Sequence, residues 1–245
     1  MSPNKTKAET KQQKIDEKME RASAALEATR YFECERLCAE ALRSAHSLHD
    51  FDRMARILMP LEESRRQKRL AALDADRIET LKSISPDFKL KPGCYMLDPP
   101  NCVGVDGRAL REMANAQEVP ALIVVREPLT QAGLWPLVAV GPVTVRVRTK
   151  PSKGLTPEWF ADALEALGDV SLEAVDWTAP AEIVVGELAQ RLETTPEHDL
   201  MHQRLAEACR AALRDQLETG GKRKGRKAKP PVDPADELDA PNARK

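Results

Sequence analysis

Apolar positions divide the chain into stretches of different period. From residue 18 they recur at helical spacing, beginning with Met19, Ala22, Ala25 and Leu26 on one face. Cys34, Leu37, Cys38, Ala41, Leu42 and Ala45 follow i, i+3, i+4, i+7 and i+8, the stripe of a helix packed on a neighbour. After a polar link at residues 47–50, Phe51, Met54, Ala55 and Leu58 open a third helix. Pro60 is expected to kink or end it, because proline lacks an N–H and crowds the preceding turn. A charged stretch at 62–69 continues with Leu70, Leu73, Ile78 and Leu81, which predicts a longer helix ending before Pro86.

Beyond Pro86 the pattern shortens. Pro92-Gly93 signals a turn, and residues 94–97 read as a strand stopped by Asp98-Pro99-Pro100. Asp106 is the expected N-cap of a helix through Gln117. Ala121-Leu122-Ile123-Val124-Val125 is a continuous apolar run, the signature of a central strand covered on both faces. Residues 137–140 form another, and Val143, Val145 and Val147 then alternate with Thr144, Arg146 and Arg148 at the period of a half-buried strand. Thr156-Pro157-Glu158 and Thr195-Pro196-Glu197 are two helix starts of one design, a threonine cap followed by proline and glutamate. The first is expected to run to Leu167 and stop at Gly168, the second to reach about Leu217, with a further helix over 181–192 between them. The predicted class is α+β, mostly α. A charged N-terminus at 1–20, disordered or a frayed extension of the first helix, precedes a helical hairpin region at 21–84. An α+β domain at 90–219 follows, with a mixed sheet of about four strands (β-α-β-β-β) and C-terminal helices. A disordered charged tail at 220–245 ends the chain.

The run Tyr31-Phe32-Glu33-Cys34-Glu35-Arg36-Leu37-Cys38-Ala39-Glu40-Ala41-Leu42 resembles the second helix of a tetratricopeptide repeat. Tyr31 takes the aromatic at the turn, Cys34 the small residue three later, and Ala41-Leu42 the pair near the helix end. Phe51-Asp52-Arg53-Met54-Ala55-Arg56 echoes the start of the pattern 20 residues on, against a family period of about 34. The resemblance therefore implies a single tetratricopeptide-like hairpin over about residues 22–58, since an array needs about three repeats. A hairpin too short to stack must bury its face on its own chain or on a partner. Docking of a protein partner through Tyr31, Phe32, Phe51, Arg53 and Arg56 is the leading expectation.

Charge changes the picture. The net charge is only −1, which argues against a wholly basic nucleic-acid coat, but it conceals an asymmetry. Residues 157–219 hold 14 acidic and four basic residues, whereas the tail 220–245 holds eight basic and four acidic. Six of those basic residues are Lys222, Arg223, Lys224, Arg226, Lys227 and Lys229. With Arg146 and Arg148 they offer an alternative, association with RNA or the ribosome through phosphate contacts.

Candidate chemistry is sparse. Five cysteines at scattered positions, with no secretory signal, fit free buried thiols in a cytoplasmic protein rather than a disulfide framework. His198 and His202 stand at i and i+4, as in a zinc-binding helix, but lack a third ligand at a defined spacing, so they read as surface histidines. Gly104-Val105-Asp106-Gly107 lacks the lysine of a phosphate loop. No catalytic constellation stands out, and the weakest alternative is an enzyme with its site at residues 98–108. No cofactor, metal or membrane contact is expected, the last because no apolar run reaches the roughly 18 residues of a span.

Overall fold

The computed structural model describes residues 3–85 and 87–225, with side chains over 9–85 and 87–219. Within these residues the elements are helices α1 (Pro3–Glu27), α2 (Tyr31–Ser47) and α3 (Phe51–Asp74), strands β1 (Ile78–Leu81) and β2 (Gly93–Leu97), helix α4 (Gly104–Ala116), strands β3 (Ala121–Arg126), β4 (Trp135–Val140) and β5 (Thr144–Thr149), and helices α5 (Pro157–Glu173), α6 (Ala181–Thr194) and α7 (Asp199–Gly225). The fold is α+β and mostly α.

Three helices end without glycine where the chain reverses. Thr29, His49 and Glu118 each adopt positive φ (57°, 53° and 54°) just past α1, α2 and α4. The following amide bonds back to the carbonyl five residues earlier, Arg30 to Ala25, Asp50 to Ala45 and Val119 to Ala114. Each is a Schellman closure built on a residue with a Cβ. Asp50 then caps α3 by accepting from the Arg53 amide at 3.2 Å.

The sheet has the order β1-β2-β3-β4-β5, parallel from β1 to β3 and antiparallel beyond. Its alternating residues feed two cores, which explains the continuous apolar runs. Cys94, Met96, Leu122, Val124, Leu137 and Ala139 pack under α5 and the end of α3. Tyr95, Leu97, Ile123, Val125 and Val138 pack under α4.

The third core is a helical bundle, and it crosses the segment boundaries expected from sequence. Cys34, Leu37, Cys38, Ala41, Phe51, Met54 and Leu58 share it with Val184, Val185, Leu188, Leu205 and Cys209. Helices α6 and α7 therefore close the hairpin of α2 and α3 from the far end of the chain. Ile15, 1% exposed, joins α1 to the same core, so the N-terminal charged stretch is part of a helix.

Other local expectations are corrected. Pro60 lies inside α3 without ending it, and the Cys34 thiol donates to the Pro60 carbonyl at 3.7 Å. The helix expected through residue 81 stops at Asp74. After Asp76 (φ 46°) the chain enters β1, an edge strand pairing with β2, so the sheet has five strands. Val103, not Asp106, is the N-cap of α4; Asp106 reaches back to accept from the Val103 amide at 2.7 Å. Thr156 does cap α5, accepting from the Trp159 amide, but the helix passes through Gly168 to Glu173. Thr195 closes α6 instead of opening α7, its hydroxyl donating to the Arg191 carbonyl at 3.1 Å.

Candidate functional site

Helix α2 uses one stripe for the core and presents the adjacent row, Ala39, Leu42, Arg43 and His46, beside it. Helix α6 does the same with Gly186, Ala189, Gln190 and Glu193. Both rows follow i, i+3, i+4 and i+7, so each is a continuous ridge. They face each other across a groove of about 140 Å³, floored by the buried Leu61 of α3. Gly186 leaves the groove open, because a Cβ there would meet only the His46 Nε2 at 3.9 Å. The walls are mostly apolar, while the rim carries Arg43, His46, Gln190 and Glu193, all exposed. Arg43 has no ion-pair partner among the described residues.

The groove ends at a charged seam between the bundle and the sheet. Arg65 lies at its inner edge and pairs with Glu35 at 2.8 Å, and Lys68 bonds the same carboxylate. Burial alone would raise the Glu35 pKa, but the two cations outweigh it and hold it at about 2. Arg65 also donates to His202 Nε2 at 3.2 Å, while His202 Nδ1 donates to the His198 carbonyl at 3.0 Å. These bonds define a neutral imidazole, and burial aided by the Arg65 charge pushes its pKa down to about 3. Arg69 bonds Asp199 and the Glu197 carbonyl, and Arg111 pairs with Glu197 at 3.5 Å. The seam is thus an ion network, with the buried Arg111 Nε left without a hydrogen bond, over a cavity of only about 40 Å³, room for one or two waters.

The five hairpin residues expected to dock a partner do not form one free surface. Phe51 is 1% exposed inside the bundle. Arg53 is held by both carboxylate oxygens of Asp16 at 2.8 Å and by Asp50 at 2.7 Å. Phe32 lies under the Lys68 ammonium, 4.3 Å from its ring centre. Tyr31 is partly exposed, and Arg56 is exposed in an ion pair with Asp52. Leu42 reads from sequence as part of the core stripe, and the remaining groove residues alternate small, polar and charged side chains, so their rows carry no hydrophobic signal.

Arg146 and Arg148 lie on the exposed side of β5, and Arg146 is paired with Glu127 at 3.1 Å. Lys222, Arg223 and Lys224 fall in the last turns of α7, whereas Arg226, Lys227 and Lys229 lie outside the described residues.

In the loop at 98–108, Asp98, Cys102 and Asp106 are committed to structure. Asp98 pairs with Arg126 at 2.9 Å, Asp106 caps its own helix, and the Cys102 thiol is buried against the Leu81 carbonyl. Gly104 and Gly107 serve packing: a Cβ would come within 2.4 Å of Val140 and 2.2 Å of Val125. All five cysteines are free and buried, as expected. Burial pushes Cys94 up to about 11 and Cys209 to about 12, so both stay protonated thiols at neutral pH. His198 and His202 are each 1% exposed, which corrects their reading as surface histidines. The burial comes from the packing of α7 on α3 and of the link before α7 on α5, invisible to local periodicity. Their rings do not converge, since His202 turns to Arg65 and His198 to α5.

No family model matches the chain, and comparison with curated proteins and with solved structures returns no match. No helix among the described residues is long and apolar enough to cross a membrane.

Proposed function

We propose that the protein is an interaction module that receives an apolar anchor from a protein partner in the groove between α2 and α6. The observation that carries this reading is the groove itself, an apolar recess of about 140 Å³. That volume is close to the roughly 150 Å³ of an engineered cavity that accommodates benzene, so it suits one leucine, methionine or phenylalanine side chain. Anchors of this kind supply most of the energy of many interfaces. The exposed Arg43 on the rim, near Glu40 but in no ion pair among the described residues, favours an acidic residue beside the anchor. The partner is therefore an amphipathic segment with one large apolar side chain and an acidic flank. The tetratricopeptide-like character of residues 31–42 agrees with a docking role, although the inner face of the hairpin is occupied by α6 and α7.

The test is an affinity capture from native lysate with the full chain, before and after nuclease treatment, alongside Ala189→Phe and Arg43→Glu. A stoichiometric protein that survives nuclease, is lost with Ala189→Phe and is weakened by Arg43→Glu supports the reading. Equal capture by all three chains refutes it. Capture abolished by nuclease in every chain transfers the assignment to nucleic acid bound through Arg146, Arg148 and the basic tail.

A further inference from the structure

His198 belongs to the short link before α7, and its side chain is fully buried. The ring lies directly on Gly168 of α5, where even a methyl group would overlap it. This approach aims Nε2 between two carboxylates one turn apart on α5. Asp169 Oδ1 is 3.2 Å away and Glu165 Oε1 is 3.4 Å away. All three donor atoms lie within 4.8 Å of one another.

Two features distinguish this cluster from the ion pairs elsewhere on the surface. Among the described residues, neither Glu165 nor Asp169 forms a short-range ion pair with a lysine or arginine, although Arg69 lies within electrostatic range of Glu165; the imidazole is the one group both reach. Two carboxylates that converge on one buried imidazole nitrogen form a donor set that a cation can occupy. The two distances from His198 are also those of a coordination shell, and the carboxylate oxygens lie within 4.8 Å of each other. Zinc bonds of about 2.0–2.1 Å to nitrogen and oxygen place tetrahedral ligands about 3.3–3.4 Å apart. Both carboxylates are half exposed, and Asp169 borders an open groove with Leu172, Trp177 and Arg204, which gives an ion a route in and leaves a fourth position for solvent.

We propose that Glu165, Asp169 and His198 bind a divalent transition-metal ion, zinc by the donor set of one imidazole and two carboxylates. His198 Nδ1 has no hydrogen-bond partner, so on that side of the ring no outer-shell bond supports the packing on Gly168. Loss of such an outer-shell bond weakens metal sites by roughly 10–100-fold, and binding here falls in the micromolar range.

The test uses the untagged full chain, stripped with chelator and titrated calorimetrically with zinc chloride. One zinc per chain with a micromolar Kd is expected. Glu165→Gln and Asp169→Asn should each weaken it at least about tenfold, and the double variant should lose it while keeping its circular dichroism spectrum. Absence of binding by the wild type overturns the proposal. So does undiminished binding by the double variant, which would place the ion elsewhere, for instance at the exposed His49–Glu182 pair. Should the double variant fail to fold, the cobalt-substituted wild type decides. Intense tetrahedral absorption bands support the site, and weak octahedral bands or none overturn it.

Discussion

Replacement of Gly168 by alanine sets two effects of opposite sign against each other. Gly168 is inside α5, where alanine is intrinsically favoured over glycine by about 1 kcal/mol. A Cβ there, however, stands 2.2 Å from His198 Cγ, 2.4 Å from Cδ2 and 2.5 Å from Cβ. Ordinary carbon contacts lie at about 3.5–4.0 Å, so the ring must withdraw by more than about 1 Å. It has no free volume to enter, being fully buried. Forced repacking of this kind costs about 1–3 kcal/mol. Withdrawal also breaks the 3.2 Å bond to Asp169, worth about 1 kcal/mol more. The balance is a net loss of about 2 kcal/mol, or a fall in Tm of roughly 4–8 °C for a chain of this size. Thermal unfolding followed by circular dichroism measures it. A double-mutant cycle with His198→Gly isolates the cause, because the histidine Cβ itself would stand 2.5 Å from the new methyl group and an alanine at 198 would keep it. With the whole side chain removed, Gly168→Ala should become stabilising by about 1 kcal/mol, so the sign of the substitution inverts. A Gly168→Ala variant as stable as the wild type, or one whose effect is unchanged by His198→Gly, refutes the argument.

Three other outcomes follow from the geometry. Glu35→Ala strands Arg65 and Lys68, each under 15% exposed, without their shared carboxylate; a loss of about 3–5 kcal/mol is expected by urea denaturation. His202 is held neutral in the fold with its pKa down at about 3, against about 6.5 in the unfolded chain. The folded state thus binds fewer protons, so this stabilisation is complete above pH 6.5 and erodes toward pH 3, by at most about 1.4 kcal/mol per pH unit. Glu35, held at about 2, adds its own loss only between pH 4.5 and 2, so the interval from 6.5 to 4.5 isolates His202. Denaturation midpoints that stay flat across that interval, or a slope that survives His202→Asn, contradict the assignment. Glu118 is exposed at φ 54°, a conformation that costs a residue with a Cβ roughly 1 kcal/mol, so Glu118→Gly should raise stability by about that amount in the same assay.

Much of the fold was legible in the chain where one physical signal acted alone. The stripe from Cys34 to Ala45 is the core face of α2, and the run from Ala121 to Val125 is the sheet's middle strand. The Thr156 cap is where its side chain predicts. The errors arose where two signals coincided. Leu70, Leu73, Ile78 and Leu81 keep a helix-like spacing across a helix end and a strand, and no glycine marks the reversal at Asp76. Gly168 looks like a stop but serves as a contact surface, and Thr195-Pro196 has the form of a helix start while its hydroxyl closes the preceding helix.

The groove and the carboxylate–histidine cluster were not legible, because neither exists along any one segment. The groove needs the second faces of α2 and α6, about 145 residues apart in sequence, brought together over α3. The cluster needs the link before α7 to arrive against α5 so that His198 meets a glycine and two carboxylates 29 to 33 residues away. Hydrophobic period, capping and charge balance are local quantities, and they determined which segments are helix or strand and which faces are buried. Only tertiary packing decided which buried face meets which, and with it which polar residues lost water, paired, or were left facing one another.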